Sequence, residues 1–126
     1  MKEKILNYMV LKPKVGYYEL SMTFGLPLDK LFKVMGFIKY NIKDNYIEIF
    51  NDNDKCVYFE FYNGYWFKYT YDSNNNQIYY ETSDSFWEKS YYENNILIKQ
   101  IDVNGDCVKY VYDKNNKLIK KENYSQ

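Results

Sequence analysis

The chain is predicted to be an α+β protein in which short helices precede a long antiparallel β-meander. Three observations predict this class. Apolar residues recur at helical spacing from Glu3 to Lys12 and again on both sides of Gly25. Aromatic and polar residues alternate between Asn-rich turns from residue 51 onward. A tyrosine-rich segment of about 20 residues recurs three times in that half, a period that indicates one hairpin per repeat. The sequence therefore predicts two regions, residues 1–50 and residues 51–126.

Composition narrows the classes of function. The chain of 126 residues contains no His and no Arg, so a His-dependent catalytic triad and a His-based metal site are excluded. An enzyme is the least expected class, and we predict neither a cofactor nor a metal. Seventeen Lys balance seventeen acids overall, although residues 1–50 carry eight Lys against five acids and residues 51–126 carry nine Lys against twelve. The abundance of Lys, Asn, Tyr and Ile is typical of an AT-rich coding sequence and favours a bacterial or phage source.

The first half is predicted to hold three helices. The first ends before Pro13, which cannot continue a helix. The second and third meet at Gly25, where a tight turn needs positive φ, and the small Ser21 allows the two helices to cross closely. The third helix is predicted from about Leu28 to Met35, after Pro27.

Two alternating runs follow the helices. Phe37–Ile42 and Tyr46–Phe50 are separated by three polar residues and predict a β-hairpin. Helices, turn, helix and hairpin in this order resemble a winged helix-turn-helix domain covering residues 1–50. That resemblance implies binding of duplex DNA through the third helix and the wing. It implies phosphate contacts by the lysines Lys30, Lys33, Lys39 and Lys43. The alternative for this region is a folding unit whose helix face meets protein.

The second half resembles the YD repeats of RHS-type proteins over about residues 55–122. In each repeat a tyrosine and an acid precede an Asn-rich turn and an apolar strand. Similar hairpin repeats are found in small bacterial and phage proteins. The resemblance implies a fold and no activity: an antiparallel meander of about seven strands, whose edge the predicted wing can join. The tyrosine–acid pairs are Tyr71-Asp72, Tyr92-Glu93 and Tyr112-Asp113.

Side-chain alternation places aromatic residues on both faces of the predicted sheet. Tyrosine offers a large contact area with a polar tip and little loss of side-chain entropy, so these rings are candidates for binding a partner. The alternative is that Tyr is used only because it is favourable in strands, so that the repeats have a structural role and no binding role. The candidate partner-binding residues are Tyr65, Trp66, Tyr79, Tyr80, Trp87 and Tyr91.

The remaining signals are weak. Cys56 and Cys107 lie in apolar strand-like runs and are predicted to be buried thiols in a reducing compartment. Pairs of acids fall in Asn/Gly turns, where Asp is favoured for local hydrogen bonds, so they do not predict a metal site. No stretch approaches the about 18 apolar residues of a membrane span, and the bacterial cytoplasm is the predicted location.

The sequence thus favours a non-catalytic binding protein that docks on a protein or nucleoprotein complex of the host. The narrower expectation is a phage or mobile-element inhibitor of host defence, comparable to anti-CRISPR proteins. The alternative is a DNA-binding transcriptional regulator acting through the winged helix. These alternatives imply different partners, a protein complex or duplex nucleic acid.

Overall fold

The structure is a computed structural model that describes residues 1–125, with three helices followed by nine strands. The helices are α1 (Lys2–Leu11), α2 (Tyr17–Phe24) and α3 (Leu28–Met35). The strands are β1 (Lys39–Ile42), β2 (Tyr46–Phe50), β3 (Cys56–Phe61), β4 (Trp66–Tyr71), β5 (Gln77–Thr82), β6 (Trp87–Glu93), β7 (Ile96–Asp102), β8 (Asp106–Tyr112) and β9 (Leu118–Ser125). They form one antiparallel sheet in sequence order, which confirms the predicted meander.

Glycines end the second and third helices. Gly25 terminates α2 with φ 64°, and the Leu26 N–H donates to the Ser21 carbonyl at 3.1 Å. The Ser21 hydroxyl donates to the Leu26 carbonyl, so this turn is hydrogen-bonded in both directions. Gly36 ends α3 with φ 87°. Both positions require the left-handed backbone conformation that glycine adopts without steric cost.

The prediction of a winged helix-turn-helix domain is wrong. The hairpin β1–β2 is not a separate wing, because Ile47 and Ile49 of β2 lie directly opposite Glu60 and Tyr58 of β3. The hairpin is therefore the beginning of the long sheet, which has nine strands and not about seven. In sequence, a wing and a hairpin at the edge of a larger sheet show the same alternation and the same kind of turn. They differ only in whether a further strand pairs with the hairpin.

An acidic or Asn residue holds four of the turns between strands by local hydrogen bonds. Asp72 Oδ1 accepts the N–H groups of Asn74 and Asn76, each at 2.9 Å. Residues Asn51, Asp102 and Asp113 accept two backbone N–H groups in the same way. These are the local hydrogen bonds for which Asp and Asn are favoured in turns. The acids that follow Tyr71 and Tyr112 therefore shape hairpins.

The repeated tyrosines tie one hairpin to the hairpin before it. The Tyr92 hydroxyl donates to the Gln77 carbonyl at 3.0 Å, and the Tyr112 hydroxyl donates to the Leu97 carbonyl. Each bond reaches back 15 residues. These two of the repeated tyrosines therefore stabilise the contact between successive hairpins.

The chain divides into two compact units. The first comprises Met1–Lys68 together with Thr82–Asp84, and the second comprises Tyr69–Glu81 and the described residues from Ser85 onward. Cys56 lies in the first unit and Cys107 in the second, and neither forms a disulfide. Cys107 is buried, whereas Cys56 is half-buried, and burial raises the pKa of its thiol.

The core of the first unit lies between its helices and one face of its strands. Trp66 is 1% exposed, and its indole Nε1–H donates to the Lys14 carbonyl at 3.0 Å. Edge-to-face ring contacts join Tyr17 to Phe32 and to Tyr58, as aromatic pairs prefer. The other buried apolar members are Ile5, Leu20, Leu31, Ile47 and Ile49.

A buried carboxylate caps the second helix from a distant strand. Helix α2 has Gly16 at its N-cap and no side-chain cap of its own. Glu60 of β3, with 0% exposure, accepts the Tyr17 N–H at 2.7 Å and the Tyr18 N–H at 3.4 Å. It also accepts the Tyr58 hydroxyl at 2.6 Å. Burial raises the pKa of Glu60, against three donated hydrogen bonds that favour its charged form.

Two buried tyrosines next to this carboxylate are expected to make the fold sensitive to alkali. Burial and the charge of Glu60 raise the pKa of Tyr17 to about 12 and also raise the pKa of Tyr58. In the unfolded chain both titrate near 10, so the folded state holds these protons more tightly. Their contribution is fully present below about pH 10 and is lost as pH rises from about 10 towards 12. For Tyr17 alone the loss amounts to about 3 kcal/mol.

Urea unfolding at about pH 9 and about pH 11.5 measures this loss. Tyr58→Phe is the comparison, because every other side chain is the same in the variant and the parent. It removes one buried hydroxyl and should flatten the pH dependence. An identical dependence in the variant and the parent would contradict the assignment.

Candidate functional site

Register places one set of side chains on a single face of strands β5 to β9 in the second unit. Tyr79 lies opposite Lys89, Lys89 opposite Ile101, Ile101 opposite Cys107, and Cys107 opposite Tyr124. Because side chains alternate between the two faces along a strand, every second residue from these positions lies on the same face. We call it the lysine face, defined by Tyr79, Glu81, Trp87, Lys89, Tyr91, Lys99, Ile101, Cys107, Lys109, Val111, Lys120, Glu122 and Tyr124.

Lysines and rings alternate on the lysine face. The Lys89 ammonium lies 5.4 Å from the centroid of the Trp87 ring. Lys99 and Lys109 lie 4.9 Å and 5.2 Å from the rings of Tyr91 and Tyr124. Cation–π contacts of this kind leave the ammonium able to accept an anion as well. Within residues 1–125, none of these three lysines forms an ion pair with a carboxylate.

The two faces of the second unit carry opposite charge. The lysine face has four lysines against Glu81 and Glu122, a net charge of +2. Glu122 is already engaged, since it forms a 2.9 Å ion pair with Lys120 and accepts the Tyr124 hydroxyl. These contacts lower the pKa of Glu122, the Tyr124 hydrogen bond contributing most. Lys109 lies directly opposite Glu122 and its charge also helps to lower that pKa, whereas Lys89 and Lys99 have no carboxylate directly opposite them.

The opposite face has a net charge of −2, from three acids and one lysine. Its members Glu88 and Asp102 lie directly opposite each other on neighbouring strands. Burial, and secondarily the charge of Asp102, raise the pKa of Glu88. The Gln100 amide donates to Glu88 at 3.0 Å and to Ser90 at 3.1 Å, so polar side chains on this face largely satisfy one another. The charged members of this face are Glu88, Asp102, Asp106 and Lys121.

A groove of about 400 Å³ opens beside Lys89. Tyr79 and Tyr91 contribute rings from the lysine face, and Tyr91 is 42% exposed. A register shift between Tyr91 and Tyr92 interrupts the ladder at this point, as β-bulges often do beside binding sites. The volume lies within the range of about 300–1,000 Å³ typical of small-molecule pockets. The lining is completed by Asp72, Ile78, Ser90 and Tyr92.

The six predicted partner-binding residues do not form one surface. Tyr79, Trp87 and Tyr91 lie together on the lysine face, where the Tyr79 and Trp87 rings stack with centroids 6.4 Å apart. Tyr80 lies on the opposite face, against Phe86. In the first unit, Trp66 is buried in the core, so we leave it out of any docking surface.

Tyr65 belongs to a separate aromatic cluster on the first unit. Its ring contacts Phe67 at 5.3 Å between centroids, and its hydroxyl donates to Asp84 at 3.2 Å. Tyr46 stacks on Phe59 in the same cluster. These rings lie on the sheet face opposite the helices, because Phe59 pairs with Phe67 while its neighbour Tyr58 faces the core.

The four lysines predicted to contact nucleic acid all lie in the first unit. Lys30 and Lys33 are exposed on α3, and Lys43 is exposed in the turn between β1 and β2. Lys39 forms an ion pair with Asp54 at 2.9 Å and donates to the Asp52 carbonyl. With the winged helix overturned, no recognition helix and wing join these residues, and the DNA-binding regulator is not carried forward.

Sequence reasoning missed Lys89, Lys99, Lys109 and Tyr124 as members of a site. The negative sum of charges in the second half concealed them, because the acids lie mostly in turns and on the opposite face. The signal available was the spacing: the three lysines recur every ten residues, one per strand, each two residues from a ring or apolar residue of the same parity. That period keeps one lysine per strand on the same face, because directly opposite residues are an even number of positions apart, as Lys89 and Ile101 or Lys99 and Lys109 are.

Residues 1–125 contain neither a candidate metal-binding cluster nor a candidate membrane-spanning helix. No group of three or more His, Cys, Asp or Glu side chains in this part of the chain could hold a metal ion. Across the same residues, no helix has the length and apolar character needed to cross a membrane.

No protein family model matches the chain, and no curated protein matches it. The resemblances to winged helix-turn-helix domains and to RHS-type YD repeats therefore gain no support from family comparison. The hairpin meander itself is present, and the function must be argued from the lysine face.

Proposed function

We propose that this protein is a non-catalytic binding protein that docks on a protein or nucleoprotein complex through the lysine face. The observation that carries the proposal is the set of three lysines that lie over aromatic rings, of which Lys89 and Lys99 have no carboxylate directly opposite them. Isolated like charges on neighbouring strands destabilise a sheet, and Lys99 lies directly opposite Lys109. An anionic partner would relieve that repulsion and gain contact area from the rings.

The aromatic residues supply the contact energy expected of a docking surface. Trp and Tyr are enriched among the few residues that dominate binding free energy. Tyr91 and Tyr124 are 42% and 45% exposed, so each offers ring area while remaining anchored in the sheet. Their lysine neighbours add charge complementarity, which mainly sets association rate and specificity.

The narrower form of the proposal is inhibition of a host defence complex by a phage or mobile-element factor. It is supported by the AT-rich coding bias and by the lack of His and Arg for catalysis. Such an inhibitor would act by covering an anionic surface of its target. Inhibition would then depend on the same lysine face.

Affinity capture from host lysate tests the proposal. We expect the tagged protein to recover one stoichiometric complex, and we expect the variant Lys89→Gln/Lys99→Gln/Lys109→Gln to lose at least about 90% of it, since long-range charge governs encounter. The matched control, Lys30→Gln/Lys33→Gln/Lys43→Gln, removes the same charge from exposed lysines of the first unit. Equal loss in both variants, or a complex retained by the lysine-face variant, would refute docking through this face.

A further inference from the structure

We propose that the lysine face binds single-stranded nucleic acid, with bases stacking on Tyr79, Trp87 and Tyr91 and phosphates pairing with Lys89, Lys99 and Lys109. This inference rests on the proposed function, because it identifies which part of a nucleoprotein partner meets that face. Surfaces that bind single strands combine a basic path for the backbone with aromatic side chains on which bases stack. The lysine face has both features in alternation.

The lysines form a path across the strands. Lys89, Lys99 and Lys109 lie on the consecutive strands β6, β7 and β8, and neighbouring strands are about 4.8 Å apart. Lys99 is directly opposite Tyr91 on one side and Lys109 on the other. A phosphate between Lys99 and Lys109 would pair with both ammonium groups, of which Lys109 already faces Glu122 on its other side. The strand of nucleic acid would therefore run across the protein strands and not along them.

The groove beside Lys89 offers a place for a base. Tyr79 and Tyr91 line it, and its volume of about 400 Å³ is sufficient for a planar heterocycle. Lys89 lines the same groove, so a base stacked there would carry its phosphate close to an ammonium group. The Tyr79 and Trp87 rings are inclined by only 23°, which provides two nearly parallel ring faces beside the groove.

Single-stranded nucleic acid fits this surface better than duplex. Bases can stack on rings only where they are not already stacked in a helix. The chain has no Arg for bidentate recognition of guanine in a major groove. The lysine face is part of a β-sheet, and sheet surfaces with exposed aromatics are an established platform for unpaired bases. An acidic polypeptide would pair with the lysines but would leave the ring faces unused.

Titration of the full chain with fluorescently labelled oligonucleotides tests the inference. The probes are single-stranded DNA and RNA of about 12 nucleotides, within the usual site size of about 4–16, together with the matching duplex and a poly-glutamate peptide. We expect single strands to bind more tightly than duplex and more tightly than poly-glutamate. The logarithm of the binding constant should fall with the logarithm of salt concentration with a slope of about −2, as three phosphate contacts on a single strand predict.

Matched variants separate charge from stacking. Lys89→Gln/Lys99→Gln/Lys109→Gln should weaken binding at least about tenfold and bring the salt slope close to zero, whereas Lys30→Gln/Lys33→Gln/Lys43→Gln should change neither. Tyr91→Ala should weaken binding about 5- to 100-fold, the range found for one stacked base, with the salt slope retained. Tyr62→Ala, at a residue 72% exposed in the first unit, is the control for loss of a ring. Unchanged thermal unfolding verifies that each variant is folded.

The outcomes distinguish this inference from the docking proposal. Binding of poly-glutamate in preference to single strands, equal affinity for duplex and single strand, or equal loss in the control variants would overturn the inference. If no oligonucleotide binds while a nuclease-resistant protein complex is still captured through the lysine face, the inference fails and the docking proposal stands. If neither binds, both fail.

Discussion

Replacing Glu60 with alanine is expected to lower the free energy of unfolding by about 3–5 kcal/mol. The substitution removes the acceptor for two backbone N–H groups at the start of α2 and for the Tyr58 hydroxyl. Buried donors left without acceptors destabilise the fold by their full desolvation penalty. Removal of the carboxylate also leaves a cavity. Urea unfolding measures the effect. Glu93→Ala, at an exposed residue of β6, should cost less than about 0.5 kcal/mol.

A double-mutant cycle with Gly16 tests whether Glu60 acts as this cap. A Cβ atom on residue 16 would lie 2.4 Å from Glu60 Oε2, so Gly16→Ala must displace the carboxylate. Its cost should approach that of losing the cap, about 2 kcal/mol or more. In the Glu60→Ala background the obstructing atoms are gone and the same substitution should cost less than about 0.5 kcal/mol. Additive costs would contradict the capping role. If Glu60→Ala does not fold, Glu60→Val serves in the cycle, because its side chain also lacks the atoms that obstruct residue 16.

Replacing Trp66 with alanine is expected to cost about 3–5 kcal/mol of stability, the usual range for a large aromatic residue removed from a core. Trp66 is 1% exposed, contacts Tyr58 with ring centroids 6.0 Å apart, and donates its indole N–H to the Lys14 carbonyl. The loss of packing leaves a cavity, and the Lys14 carbonyl loses its partner. Denaturant unfolding with parallel circular dichroism measures the change.

Trp87 provides the internal comparison. It occupies the corresponding place in the next repeat, but it lies half-buried on the lysine face and stacks on Tyr79. Trp87→Ala should cost less stability than Trp66→Ala by at least about 1 kcal/mol, because less apolar area leaves the protein interior. It should instead weaken partner binding. Similar stability losses in the two variants would contradict the difference in burial between Trp66 and Trp87.

Much of the fold could be predicted because its signals are local. Gly25 and Gly36 end helices through their own backbone conformation, and the Asn-rich turns mark hairpins through positive φ at residues such as Asn75 and Asn116. Alternation then assigns the residues between turns to strands. The bounds of α3 agree with the predicted Leu28–Met35, since Pro27 and Gly36 mark both ends in the sequence.

The features that escaped prediction depend on residues far apart in sequence. Glu60 meets Tyr17 across 43 positions, and nothing near Gly16 indicates that its helix is capped from a strand. The winged helix was predicted because a hairpin follows three helices, but the pairing of Ile49 with Tyr58 joins that hairpin to the sheet. The lysine face depends on strand register, which alternation within single strands cannot determine.

The backward-reaching tyrosines have a consequence for how such a chain can change in length. Tyr92 and Tyr112 each donate a hydrogen bond to a carbonyl 15 residues earlier. This bond therefore joins a hairpin only to the hairpin immediately before it. In repeat architectures stability is approximately a sum of repeat and nearest-neighbour terms. Duplication or deletion of a whole repeat would then recreate the same junction at a new place and leave the other junctions intact. The architecture is therefore open to growth and shortening by unequal recombination in steps of about 20 residues, whereas insertion of a few residues within a repeat would misplace the tyrosine and break the junction.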